Sequence, residues 1–182
     1  MKLYLDTTGE KFVIAAFNQN NNLIASYIIT EPKKVPLIPF YCAKICNDLN
    51  IKINKFTHFY TNLGPGLFTG VRISLVYLRT IAMITNAKIK TISSMQILAM
   101  QNPNKNELFI NASGNKHYYY SPKSTEFTIE DVKIMQNNNT NFDVVDYNEF
   151  LENFTRYEPL FKEWDEIINI EPYYIKSPQI GV

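Results

Sequence analysis

The stretch Asn62-Leu63-Gly64-Pro65-Gly66-Leu67-Phe68-Thr69-Gly70-Val71-Arg72 decides how this chain is read. Three of the protein's six glycines fall inside it. Glycine lets another backbone or a ligand come close, and Pro65 stiffens the turn between two of them. Upstream, residues 56–60 are aromatic and β-branched, as a buried strand requires. Downstream, residues 71–85 form a long apolar run at helical spacing. A strand, a Gly-Pro-Gly turn and a helix N-terminus make a potential anion site, because free N–H groups and the helix dipole point the same way. Gly64, Pro65, Gly66, Thr69 and Gly70 would line it, with Asp6 and Thr7 arriving from the end of the first strand. No Gly-Lys-Ser/Thr follows, so this is not the mononucleotide P-loop, and the dinucleotide fingerprint is absent as well.

Working outward, the pattern predicts an α/β fold. Lys2–Asp6, residues 12–17 and Leu23–Thr30 read as consecutive strands, with turns at Gly9-Glu10 and over residues 18–22. A helix follows over 36–49, with its prolines near the start where they are tolerated. Beyond the loop and its helix come a strand at Lys88–Ile92 and a helix at Ser94–Gln101, capped by Ser93 or Ser94. The polar run 101–106 marks a boundary, giving a lobe over 1–101 and a small α/β lobe over 102–182. In the latter, 107–112 and 116–121 read as a hairpin, Phe127 and 142–145 as short strands, and 147–154 as a short helix. Asn20-Asn21-Asn22 and Asn137-Asn138-Asn139 read as loops.

A chain of 182 residues, 46% hydrophobic and 14% aromatic, can bury a core of its own. No apolar run is long enough to span a membrane, and Asp6 comes too early for a secretory leader, so a cytoplasmic protein is expected. Net charge is +1, which excludes the electrostatic footprint of a stand-alone nucleic-acid binder. The charge is uneven: nine acidic and three basic residues follow Asn141, leaving −6 there and +7 in the rest. Cys42 and Cys46 lie four apart on a helix and read as small packed residues. Two histidines remote in sequence, His58 and His117, do not complete a zinc set, so no metal site is expected.

The helices on either side of the motif strand are apolar on more than one face, whereas packing on one sheet needs a single stripe. Their second faces either lie between the two lobes or meet another protein. On the interface reading the contact residues are Leu37, Ile38, Tyr41 and Ile45 from the first helix, with Val71, Arg72, Leu75, Leu78, Arg79 and Ala82 from the second. Arg72 and Arg79, two turns apart, serve either an intramolecular salt bridge or a partner surface. Neither a Ser/His/Asp nor a Cys/His arrangement has recognisable context, and the tyrosines 118–120 beside His117 have no basic patch to make them a base-stacking platform.

The loop with Ile73-Ser74-Leu75 resembles the Gly-Pro-Gly-Ser-Phe-Thr-Gly-Val-Arg-Ile-Gly signature of the TsaB (YeaZ) family. Leu3-Tyr4-Leu5-Asp6-Thr7-Thr8 resembles that family's opening strand, and Thr91-Ile92-Ser93-Ser94-Met95 its Val-Ser-Ser-Leu segment. The resemblance is good to about Gln101. It implies an actin-like ATPase (ribonuclease H-like) lobe with a mixed sheet and flanking helices, plus a trimmed second lobe. It also implies a non-catalytic, cytoplasmic subunit that docks TsaD through the two apolar helices and supports threonylcarbamoyl transfer to adenosine 37 of tRNAs reading codons that start with A. Further implications are self-pairing through the same surface without TsaD, contact with the ATPase TsaE, tRNA bound only within the complex, and no intrinsic cofactor, with a nucleotide at the TsaD junction as an option. Asp6-Thr7-Thr8 resembles the first phosphate loop of actin-like kinases, so a small ATPase or kinase is the alternative, and a self-associating module without a tRNA role is another. Departures are Leu67 for the usual serine, Asn111-Ala112-Ser113 for Asp-Ala-Arg, and Lys176 for the closing arginine. The His-x-x-x-His pair of TsaD itself is missing.

Overall fold

Alternation of apolar side chains sets up the first sheet. In the computed structural model, which describes residues 1–122, 126–136 and 141–175, Lys2–Asp6 (β1), Lys11–Phe17 (β2) and Leu23–Thr30 (β3) form an antiparallel meander. Asn137-Asn138-Asn139 and Lys176 lie outside the described residues. The β2–β3 turn closes through Asn18, whose side chain accepts from the N–H groups of Asn20 and Asn22, as asparagine does in turns.

Helix α1, Leu37–Asp48, begins right after Pro36, so Pro39 falls in its first turn, where its missing N–H costs little. A 3₁₀ turn at Ile53–Lys55 then takes up chain, and the motif strand β4 is His58–Asn62, two residues later than its composition suggests. That shift puts Asn62 inside the strand. Helix α2, Phe68–Thr85, starts three residues before Val71, so Phe68, Thr69 and Gly70 form its first turn. It ends at Asn86 in the left-handed conformation, a common C-terminal stop. Strand β5, Lys88–Ile92, leads to α3, Ser94–Gln101, whose cap is Ser93 in a reciprocal pair with Gln96.

After α3 the hairpin forms as Leu108–Asn111 (β6) and Lys116–Tyr120 (β7). Its third strand is Lys133–Gln136 (β8), not Phe127 or 142–145. Residues 142–145 stay out of the ladder; Asp143 instead holds β6 with its N–H on the Phe109 carbonyl and its carboxylate under the Phe109 N–H. Two short helices follow, Tyr147–Glu152 (α4) and Phe154–Tyr157 (α5), and then Lys162–Glu163 (β9) returns to pair antiparallel with β5. The main sheet is therefore mixed and six-stranded, in the order β3-β2-β1-β4-β5-β9, with β1, β4 and β5 parallel. The chain beyond β9 runs as a strap along α2.

Period-two alternation splits the core in two. Leu3, Leu5, Phe12 and Ile14 face α1 and α2, where they meet Ile38, Ile45, Leu75 and Leu78. Tyr4, Val13, Ala15 and Phe17 face the other way, onto Phe150, Phe154 and Tyr157. Phe17 and Phe154 stack with ring centroids 4.1 Å apart. Each buried leucine or phenylalanine stabilises by roughly 1.5–3 kcal/mol, so the segments before and after Gln101 are tied through one shared layer of aromatic residues.

Candidate functional site

Two regions collect the residues singled out from the sequence. The first is the end of β1. Asp6 is fully buried, and five donors converge on its carboxylate. Oδ1 accepts from the Thr8 N–H and hydroxyl, both at 2.7 Å. Oδ2 accepts from the Tyr4 hydroxyl at 2.7 Å, the Tyr147 hydroxyl at 2.8 Å and the Asn62 amide at 3.0 Å. Tyr4 is placed by β1 itself, two residues back on the same face, and Tyr147 by the first turn of α4, which Asp146 caps. Burial, and then the adjacent Asp6 charge, pushes both tyrosine hydroxyls well above the ordinary phenol range, so they stay protonated donors. Lys34, also buried, places its ammonium on the carbonyls of Thr7 and Gly9, and burial pulls its pKa down against the upward pull of Asp6 and Glu10.

The glycine loop closes onto this turn. The Leu67 N–H donates to the Thr8 carbonyl at 2.7 Å, and the Thr7 hydroxyl donates to the Gly70 carbonyl. Gly66 and Gly70 are glycines for close packing: a Cβ on Gly66 would run into the Thr8 carbonyl, and one on Gly70 into the Thr7 carbonyl. On the other side the Gly64 carbonyl accepts from the Ser93 hydroxyl and the Ser94 N–H, while the Gly64 N–H is taken by Asn62. The structure thus brings Asp6, Thr7, Gly64, Pro65, Gly66 and Gly70 together but corrects the phosphate-cradle reading of them. Asp6, Thr7, Gly64, Pro65 and Gly70 are buried against each other, and of the seven only Thr69 is exposed. A carboxylate already accepting five hydrogen bonds has no lone pair left for a metal or a reacting group.

The second region is the outside of α1 and α2. Ile38, Ile45, Val71, Leu75, Leu78 and Ala82 all lie in the chain's own core, which removes them from the expected contact surface. Leu37 and Tyr41 are half-buried. The physical reason is that these helices lie on a twisted sheet and share a seam as well, so the inner stripe is wider than one helix face. Tyr77 of α2 meets Cys42 of α1 across that seam, and burial raises the Cys42 thiol pKa to about 12, leaving an inert thiol. What remains outside is still apolar: Val35 and Phe40 at α1, and Val76, Met83 and Ile84 on α2, the last 78% exposed.

Arg72 and Arg79 both reach the segment after β9. Arg79 donates to the carbonyl of Ile170, and Arg72 donates through Nε to the Tyr174 hydroxyl at 2.8 Å, with its guanidinium 4.8 Å from that ring. Both arginines hold the strap, a use that sequence spacing does not reveal. Of the tyrosines beside His117, Tyr118 and Tyr120 are buried in the core and only Tyr119 faces outward, hydrogen-bonded to Glu107. Among the described residues no group of three or more His, Cys, Asp and Glu is arranged to hold a metal, and no helix is long and apolar enough to cross a membrane. Tyr147 and Lys34 were not singled out from the sequence, and Tyr4 and Asn62 entered only as members of the quoted motifs, with no role at Asp6; the i, i+2 spacing of Tyr4 and Asp6 on a strand could have pointed to one of them.

The profile of the family described as "TsaD: tRNA N6-adenosine threonylcarbamoyltransferase" matches residues 33–159. The match therefore runs well past Gln101, where the residue-level resemblance fades. An uncharacterized protein of Mycoplasma genitalium, MG208, is 23% identical over 194 residues, covering 97% of this chain and 95% of that one. Among solved structures, YeaZ from Pseudomonas aeruginosa superposes with a TM-score of 0.57 at 18% identity, over 74% of this chain and 63% of its own. A second, titled as an uncharacterized protein with similarity to peptidase YEAZ from Pseudomonas aeruginosa, gives 0.59 at 19% identity, over 74% and 66%. The chain spans slightly less than two thirds of these structures' length. The fold they share with it is actin-like.

Proposed function

The chain belongs to the TsaD family of tRNA N6-adenosine threonylcarbamoyltransferases, and from that premise we propose that it is the non-catalytic, TsaB-type partner in that chemistry, which docks a TsaD subunit through α1 and α2 and supports threonylcarbamoyl transfer to adenosine 37 of tRNA. The observation that carries this is the outer face of the two helices. Val35, Phe40, Val76, Met83 and Ile84 are all more than half exposed on adjacent elements, an apolar surface of the kind that mediates association. Two things support an accessory role over a catalytic one. The Asp6 carboxylate is consumed by five internal donors. The two histidines sit in different sheets, His58 on β4 and His117 on β7, where the transferase motif needs a pair four apart. A nucleotide, where one takes part, then belongs to the junction with the partner and not to this cleft. TsaE and tRNA join through the assembled complex.

The test is to mix the purified chain with the TsaD subunit of the same organism and measure mass by light scattering during size exclusion. A one-to-one complex that disappears with Met83→Glu or Phe40→Glu is the expected result. Substitutions at Leu75 or Leu78 would not serve, because both side chains are buried and their loss would unfold the core and mimic a lost interface. A chain that pairs only with itself, or stays alone, returns the reading to a self-associating module. Magnesium-dependent binding of ATP by the isolated chain would favour the small actin-like enzyme instead.

A further inference from the structure

We infer that the chain pairs with a second copy of itself through strand β3, the two free edges joining antiparallel about a twofold axis into one continuous sheet. The inference goes beyond the proposed function and does not depend on it. Among the described residues β3 ends the main sheet, with β2 on one side only. Among the same residues no backbone hydrogen bond reaches positions 25–30 from any other element. An edge strand presents a row of unpaired N–H and C=O groups, which proteins commonly guard with lysine, proline or a covering segment. Leu23–Thr30 contains no charged residue and no proline over its eight positions. A register shift near Phe17 disturbs its start, but from Ala25 to Thr30 the pairing with β2 is regular. That is an uncharged edge of ordinary strand length.

Self-complementarity names the occupant. Alternation puts Ala25, Tyr27 and Ile29 on the face under α1 and Ile28 on the other. A twofold axis at Tyr27 sets that residue beside its mate, Ala25 opposite Ile29 and Ser26 opposite Ile28, so each side chain meets one of the same face. Glu31 and Lys33, just past the strand, fall at the opposite end of the seam from their mates. Tyr41 of α1 packs on Phe12 of β2 and Tyr27 of β3, with ring centroids 5.5 and 4.9 Å apart, so α1 lies over the last two strands. Neighbouring strands are about 4.8 Å apart, which brings α1 to about 10 Å from its mate, the packing distance of two helices.

The charges on that flank of α1 decide the matter. Lys44 lies 3.2 Å from Asp48 and 5.3 Å from the centre of the Tyr27 ring, and the Tyr27 hydroxyl donates to Asp48. The two charged side chains stay 41% and 37% exposed. Because the mates run antiparallel, Lys44 of each copy faces Asp48 of the other, and the charges alternate in sign around the axis. Such complementarity fixes orientation and selects the partner. A strand from an unrelated protein would find the free backbone but not the matching pair of charges. Val76, Met83 and Ile84 lie on α2 and take no part in the seam.

Sedimentation velocity of the full chain alone, across a range of concentrations, tests this. The expected result for wild type is a dimer that dissociates on dilution. Lys44→Asp, Asp48→Lys and Ser26→Lys, each checked for an unchanged melting temperature, raise the dimer Kd tenfold or more. An equimolar mixture of Lys44→Asp and Asp48→Lys regains the dimer, because each copy supplies the charges that the other lacks; damage confined to the pair within one chain gives no such rescue. Met83→Glu leaves the dimer unchanged. A wild-type chain that is monomeric throughout overturns the inference, as does a dimer that survives Ser26→Lys and both charge variants. Failure of the mixture to regain the dimer overturns it too, and so does a dimer that Met83→Glu alone dissolves, since self-pairing then belongs to the helical face.

Discussion

The turn around Asp6 and the outer face of α1 and α2 were both marked as functional by the sequence, and the structure treats them in opposite ways. At Asp6 every polar group finds a partner inside the protein, the glycines are filled by neighbouring backbone, and the carboxylate is out of reach of solvent. On the helices, apolar groups that could have been covered by the chain are left open. The difference teaches that a motif rich in glycine and acid marks a place where backbones must meet closely, whether or not a ligand shares the space. The docking surface proposed above sits where the internal bonding stops.

That contrast can be broken most severely at the loop. Gly70→Val drives a branched side chain into the Thr7 carbonyl, a clash in a rigid neighbourhood, and is expected to abolish soluble folded protein, as judged by expression and circular dichroism. Asp6→Ala is next. It leaves five donors around a buried void and should cost about 3–5 kcal/mol in urea unfolding. If Asp6 were instead a ligand-binding carboxylate, as in an active nucleotide cleft, its loss would leave stability unchanged or improved. Tyr147→Phe removes one hydrogen bond to a charged acceptor and should cost about 1.5–3 kcal/mol. A double-mutant cycle with Asp6→Asn would assign that loss to the pair itself.

The helical face should respond in the reverse sense. Met83→Ser and Val76→Ser change stability by no more than about 0.5 kcal/mol, since both side chains already sit in water, while they weaken association with the partner subunit. A drop of several kcal/mol in either would mean that the face belongs to the fold. The smallest effect is at Glu158. Burial raises its pKa, but the Tyr60 hydroxyl at 2.9 Å and the Lys90 ammonium at 3.2 Å outweigh it, so its pKa lies below the usual glutamate range. A depressed folded-state pKa gives stability that is complete above the unfolded value, near 4.5, and is lost as pH falls through the folded value. Because the group is partly exposed and screened, the contribution is below about 1 kcal/mol. The gap between wild type and Glu158→Gln should be constant at neutral pH and close below about pH 4; a gap that widens on acidification would contradict it.

Much of the fold was legible because local signals agreed. The meander, α1, β5 and α3 with its serine cap follow from alternation, turn asparagines and capping alone. The motif strand slipped by two residues because the preceding 3₁₀ turn has no strong sequence mark. In the second sheet, β8 has only four residues, three of them exposed or charged, so alternation had little to show. The Asp6 site was legible in part: the turn and the loop were brought together, but the groups that close it, Tyr147 and Lys34, come from 141 and 28 residues away along the chain, where only tertiary packing can place them. The ten interface candidates failed differently. Hydrophobicity identifies helices that bury more than one face, but six of the ten point into the chain's own core, and sequence cannot say which apolar face the sheet claims first.

Strand β9 and the strap that follows it give the molecule a schedule as well as a shape. Lys162 and Glu163 pair with Thr91 and Lys90 on a strand completed some seventy residues earlier, and Ile170 fills a slot beneath helices whose residues were joined still earlier. A chain emerging from the ribosome therefore carries α1 and α2 with an open seat at their base while every residue from Asn86 to Asn169 is being added. The surface that a partner would grip is finished only when residue 170 is in place. A chain stopped before Ile170 would present a helical pair with an incomplete core, the kind of exposed apolar surface that chaperones are equipped to recognise.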